Sequence, residues 1–138
     1  DDEAKIKLAV SLHSARNEVR TQIMPFNETF PLEDLRESLE YWYSKTGSRI
    51  TYEYIVWKDI NDTREDAQAL VRFCKYVPCK VNLIEYNPID DGNFQQAAGE
   101  ATRMYEQMLE RNNITVTVRR SRGKDIDAAC GQLANKSA

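Results

Sequence analysis

The feature that most constrains this chain is a hydrophobic period that switches repeatedly between two and about 3.6 residues. Ile6, Leu8 and Val10 alternate, a strand that runs out into Ser11-Leu12-His13. A short helical stretch follows over 17–23, then a longer helix with Leu32, Leu35, Leu39 and Trp42 on one face and Gly47 as its stop. Residues 50–57 are rich in β-branched and aromatic side chains and predict a second strand. Thr63 and Asp66 have capping-box spacing, with Asp where Glu is usual, and open a helix that buries Ala67, Leu70, Val71 and Cys74. A third strand is predicted over 79–86, closed by Asn87-Pro88. A long helix then carries Ala97, Ala101, Met104, Tyr105 and Met108 and ends near Asn112-Asn113. A fourth strand is predicted over 114–118 and a last short helix over 125–133. Strands alternating with helices imply βα units, parallel pairing and right-handed crossovers. The fold class is therefore α/β. The order of elements leaves open whether the sheet is a barrel segment or a small open sheet.

The 138 residues suffice for one domain, and 1–138 is expected to be one. With 41% hydrophobic and 30% charged residues the chain belongs with globular rather than disordered sequences. No apolar run approaches the ~20 residues of a membrane helix, and no secretory leader pattern is present, so no membrane partner is expected. The chain opens on Asp1-Asp2 rather than methionine and is expected to be a piece of a longer protein. Three cysteines, an odd number, argue against a disulfide framework and for a reducing, cytoplasmic setting. The sequons at Asn27, Asn61, Asn113 and Asn135 carry little weight, because Ser and Thr also start helices. A net charge of −3 gives no general pull towards nucleic acid. Any RNA contact needs a local patch, and Arg119, Arg120, Arg122 and Lys124 offer one, though such a run is as often a solvated loop.

In parallel α/β folds chemistry gathers where strands end. The predicted strand ends here are polar: Ser11 and His13, then Asn82, Glu85 and Asn87, then Arg119 and Arg120. Residues two apart share a side, so Ser11 with His13 and Glu85 with Asn87 form pairs. His13 is the only histidine. Its position fits either a rim histidine with a satisfied hydrogen bond or a functional one, and no nucleophile elbow surrounds it. Cys130 would share a helix face with Ile126 and Leu133 as a small core residue. Against that, Gly131 would admit a ligand, and the basic residues upstream would favour thiolate. Cys74 and Cys79, spaced C-x4-C, are poor zinc ligands and suit the core.

The strings LAVSLH (8–13), NEVRTQIMPFN (17–27), ITYEYIVWKDINDTREDAQAL (50–70), CKVNLIEYNP (79–88) and TVTVRRSRGKDIDAACGQL (115–133) closely resemble the bacterial radical S-adenosylmethionine methyltransferases that act on adenine C2 in 23S rRNA and tRNA. The resemblance runs in register through the chain. It implies the C-terminal part of a partial (β/α)6 barrel. It implies that Ser11, Leu12, His13 and Asn87 contact S-adenosyl-L-methionine, and that Cys130 of DAACGQL is the methyl-carrying cysteine. In that family one S-adenosylmethionine methylates the cysteine by displacement. A second, bound at a [4Fe-4S] cluster, is reductively cleaved to a 5′-deoxyadenosyl radical that takes hydrogen from the S-methyl group. The methylene radical adds to the ring, and a second cysteine resolves the adduct. Such a route suits C2 of adenine, an electron-poor carbon that is no nucleophile.

The C-x3-C-x-x-C cluster motif, the family's Gly-Glu motif that contacts the methionine moiety, the resolving cysteine and an N-terminal RNA-binding region have no match in these 138 residues. The resemblance then implies cluster ligands outside this chain, a missing N-terminal part of the same enzyme as partner, and a segment inactive alone. Lys124, where an acid is usual, and Asn112-Asn113, where a glycine turn is common, are smaller departures. Two other readings stand beside this one: the sibling adenine-C8 rRNA methyltransferase of antibiotic resistance, and a non-catalytic RNA-binding or scaffold partial barrel. A severed barrel is also expected to expose a strand edge and an apolar face, and so to self-associate.

Overall fold

A computed structural model describes the backbone of residues 7–87 and 92–122 and the side chains of residues 7–85 and 99–119. The elements run β1 (Ala9–Ser11), α1 (Asn17–Ile23), a 3-10 turn (Pro25–Glu28), α2 (Leu32–Thr46), β2 (Ile50–Val56), α3 (Arg64–Cys74), β3 (Cys79–Asn87), α4 (Gly92–Arg111) and β4 (Thr115–Arg122). Ile6, the helix expected over 125–133 and the tail lie outside the described residues.

Local chemistry explains the boundaries. Thr63 and Asp66 complete the capping box at the start of α3, each side chain bonding the other's backbone N–H. Asp66 also accepts from Arg16 Nη1 at 3.1 Å, which ties the start of α3 to the segment after β1. Gly47 ends α2 with φ 67°, a left-handed turn that returns its N–H to Tyr43 O. Asn113 makes the equivalent turn after α4 at φ 61°, so asparagine does here what glycine commonly does.

The strands form one sheet in the order β1-β2-β3-β4, every neighbour parallel. Each connection passes through helix, and the helices pack on one face. Ile50, Tyr52, Tyr54, Val81 and Leu83 point into that layer and meet Leu35, Leu39, Leu70, Phe73, Tyr105 and Leu109 in a single core. Burying a side chain such as Leu70 or Leu83, both fully enclosed, stabilises by about 1.5–3 kcal/mol. Sequential strand order with helices on one side is the arrangement of a barrel wall; a doubly wound sheet would reverse its order and carry helices on both faces. The expected α/β class, parallel strands flanked by helices, is the one found.

Three expectations change. β4 runs to Arg122 rather than stopping at 118, so Arg119, Arg120 and Arg122 belong to a strand paired with β3 and not to a loop. Glu85 is not an open rim residue. With Val81 and Leu83 it faces the helix layer, where it is buried and where a Cβ on Gly99 would sit 3.4 Å from its Oε2. The face away from the helices is mostly polar rather than apolar, carrying Thr51, Glu53, Lys80, Asn82, Thr115 and Thr117. Its apolar part is Ile55 and Ile84, packed with Trp57. The outer edges of β1 and β4 have no strand partner among the described residues.

Candidate functional site at the end of the first strand

The site begins where β1 stops. Leu12 N–H still donates to Glu53 O at 2.9 Å, as a continuing strand would, but His13 turns left-handed at φ 58° and breaks the alternation. Ser11 and His13 therefore do not form a simple same-side pair. A non-glycine residue at positive φ must be held there by its surroundings.

The hold is a buried polar network. Ile55 N–H donates to His13 Nδ1 at 3.0 Å, and Asn61 Nδ2 donates to His13 O at 2.8 Å and to Ile55 O at 2.7 Å. Asn61 Oδ1 accepts Trp57 N–H, so one fully buried amide joins β1, β2 and the loop after β2. Tyr105 of α4 donates to Asn61 O, which leaves Tyr54 to donate to Tyr105 across 2.8 Å. Burial raises the pKa of both phenols, and they stay neutral.

On the other side Arg20 of α1 reaches beneath the strand end. Its Nε donates to Leu12 O at 2.9 Å, Nη2 to Ser11 O at 3.3 Å and Nη1 to Asn27 Oδ1 at 2.8 Å. Asn27 in turn donates to Asn17 and Thr21. Arg20 is 4% exposed and makes no ion pair among the described residues; burial lowers its pKa. The helical stretch and 3-10 turn thus form a bracket that fixes the carbonyls of Ser11 and Leu12.

Burial pushes the His13 pKa down to about 4, with the Arg20 charge adding to the effect. The ring is neutral at pH 7. Because Nδ1 accepts the Ile55 N–H, the proton sits on Nε2, which makes that atom a donor. A stability prediction follows. The unfolded histidine takes its proton near 6.5 and the folded one only near 4. Stability from this group is whole above pH 6.5, is lost as pH falls from 6.5 towards 4, and is level below that. The gap corresponds to about 3 kcal/mol. Urea unfolding of the wild type and of His13→Asn, compared across that window, should show the two converge as the pH drops. A constant difference would mean that the imidazole is not buried neutral.

No family model matches the chain. It is 95% identical over all 138 residues to the "Probable dual-specificity RNA methyltransferase RlmN" of Christiangramia forsetii, of which it covers 39%. It is 69% identical over 136 residues to the protein of the same name from Flavobacterium psychrophilum, again covering 39% of it. Over its whole length the chain is similar to part of proteins that carry this name. It spans about two fifths of the length of the curated relatives it matches. Among solved structures it superimposes on a radical SAM methyltransferase from Sphaerobacter thermophilus with a TM-score of 0.77 and 36% identity, over 93% of this chain and 38% of that one.

Of the residues that the family resemblance singles out, Ser11, Leu12 and His13 form one rim segment. The Leu12 side chain is fully buried in the core, and its amide and carbonyl are both engaged, so its part is to position its neighbours. Asn87 is the last residue of β3, in register with Arg122. Arg119 is exposed on β4 opposite Ile84. Lys124 and Cys130 lie outside the described residues. Cys74 and Cys79 are buried in the core, with Cys79 Sγ donating to Cys74 O at 3.4 Å, and no group of three His, Cys, Asp or Glu among the described residues could hold a metal. Arg20, Asn27 and Asn61 were not read from the sequence as site residues. All three are polar residues in the very strings that carry the resemblance, a signal that periodicity does not weigh.

Proposed function

We propose that the chain is part of an enzyme that methylates adenine at C2 in 23S rRNA and tRNA, and that 1–138 is one domain, the C-terminal part of its radical S-adenosylmethionine core. The match at 95% identity to a relative named as a dual-specificity RNA methyltransferase carries this reading. The rest of the enzyme, with the [4Fe-4S] ligands and an RNA-binding region, lies outside these residues, and the working place is the cytoplasm.

In this reading Ser11, Leu12, His13 and Asn87 contact S-adenosyl-L-methionine. When bound, that cofactor with its cluster supplies both the methyl group and the radical. The residues of this chain supply the setting. The Ser11 hydroxyl and the His13 Nε2–H are donors at a rim whose backbone is already fixed, so binding loses little ordering entropy. His13 stays neutral through the physiological range and adds no charge beside a cationic sulfonium, which suits a cation better than an imidazolium would. Cys130 carries the methyl group as S-methylcysteine, its thiolate favoured by Arg119, Arg120, Arg122 and Lys124 upstream, which also meet RNA phosphates.

The test is product analysis. Full-length enzyme, cluster-loaded and supplied with reductant, S-adenosylmethionine and 23S rRNA or tRNA, is expected to yield 2-methyladenosine in both RNAs. 8-Methyladenosine would identify the sibling activity, and no methylated adenosine would leave a scaffold.

A further inference from the structure

One row of residues on the inner, polar face of the sheet enters the function proposed so far only through its first member, Ser11. Ser11, Glu53, Asn82 and Thr117 lie in direct register across all four strands. Thr117 Oγ1 donates to Asn82 Oδ1, which leaves the Asn82 amide nitrogen to face Glu53, and it donates to Glu53 Oε2 at 3.0 Å. The chain of bonds therefore has one direction and ends on a carboxylate. Glu53 uses one oxygen for Asn82; among the described residues its other oxygen has no protein partner and no cation lies within ion-pair distance. Both faces of a parallel sheet are normally covered, so a half-buried carboxylate held in fixed orientation there is set to accept from something else.

The surroundings narrow what that is. Ser11, one of the proposed cofactor contacts, is the register partner of Glu53, and Leu12 N–H bonds Glu53 O. Two residues further along the same face come Ile55 and Ile84, themselves buried, and packed on them the half-buried Trp57, an apolar border beside Arg119. A ligand suited to both needs a flat apolar ring face and hydrogen-bond donors on its edge. We propose that Glu53, oriented by Asn82 and Thr117, is a ligand-positioning residue that accepts a hydrogen bond from an adenosine moiety, through its ribose hydroxyls or its exocyclic amine. This rests on the methyltransferase reading, in which adenosine comes from two sources: the cofactor and the RNA.

Equilibrium binding to the cluster-loaded full-length enzyme separates the possibilities. The probes are S-adenosylhomocysteine and an RNA hairpin with one unpaired adenosine in its loop. Glu53→Gln keeps an acceptor for Asn82 but turns a donor to the ligand, so it is expected to weaken one probe about ten- to hundredfold with an unchanged unfolding temperature. Weakened S-adenosylhomocysteine alone assigns Glu53 to the cofactor; weakened hairpin alone assigns it to the target nucleotide. An analogue without the bonded donor, a 2′-deoxyribose or an N6,N6-dimethyladenine, should bind wild type and variant alike. Should Glu53→Gln fail to fold, Thr117→Val leaves Glu53 in place and is expected to weaken the same probe by a smaller factor. Unchanged affinity for both probes overturns the proposal, as do equal losses that track a lowered unfolding temperature, which would make the row a brace. Wild-type enzyme that binds neither probe would overturn the methyltransferase reading and this proposal with it.

Discussion

Cys130→Ala in the full-length enzyme is expected to reduce adenine methylation to background and to remove a methyl adduct otherwise found on the peptide holding Cys130. The other two cysteines cannot take over. Cys74 packs in the core beside Leu70 and Val71, and Cys79 opens β3 with its thiol bonded to Cys74 O, both closed to a ligand by burial. Their replacement by alanine should cost only packing, about 1–3 kcal/mol, and leave methyl transfer in place. Serine at 130 should not rescue. The group must be a nucleophile towards a sulfonium methyl and then hold that methyl for hydrogen abstraction, and a serine hydroxyl is not ionised at neutral pH. Mass spectrometry of enzyme purified from cells reads the adduct directly. A methyl group on Cys74 or Cys79, or an active Cys130→Ala enzyme, would remove the assignment.

Arg20→Met is expected to destabilise the fold by about 3–5 kcal/mol, because three acceptors, two of them buried, lose a charged donor together. The methionine fills much of the volume but offers no hydrogen, so the Ser11 carbonyl and Asn27 Oδ1 lose the Arg20 bond and the Leu12 carbonyl keeps only that from the Ser14 N–H. Arg20→Lys should recover only part of the loss, since an ammonium brings its donors to one point while the guanidinium spreads them over a fork. S-adenosylhomocysteine affinity of the full-length enzyme should fall about tenfold or more as the Ser11–His13 segment loosens. Urea unfolding and calorimetry measure the two effects separately. An unchanged unfolding midpoint would mean that the cost of burying the guanidinium cancels its hydrogen bonds.

The fold was largely legible from the sequence because its elements follow local rules. The Thr63–Asp66 cap, the Gly47 stop and the alternation of Val81, Leu83 with Asn82, Ile84 each act over a few residues. β4 was read too short because Arg119 and Arg120 look like loop residues. Parallel pairing with β3 extends a strand past the point where its own composition supports one. Position near the strand end puts Glu85 on the rim in the sequence reading, while the two-residue period carries it to the helix layer, 3.4 Å from where a Cβ on Gly99 would lie.

The sequence by itself determined the strand–helix order, the helix-facing hydrophobic set, the family resemblance and the motif around Cys130. Those are properties of neighbours along the chain, or of strings compared as strings. Only the tertiary structure decided that His13 sits left-handed with its proton on Nε2, that Arg20 serves carbonyls instead of a carboxylate, and that Ser11, Glu53, Asn82 and Thr117 stand in one row. Register and burial cause these. Periodicity tells which residues of one strand share a side. How far one strand slides against the next is set by how Tyr52, Tyr54, Leu83 and Leu109 pack in the core they share, and no single segment contains that information.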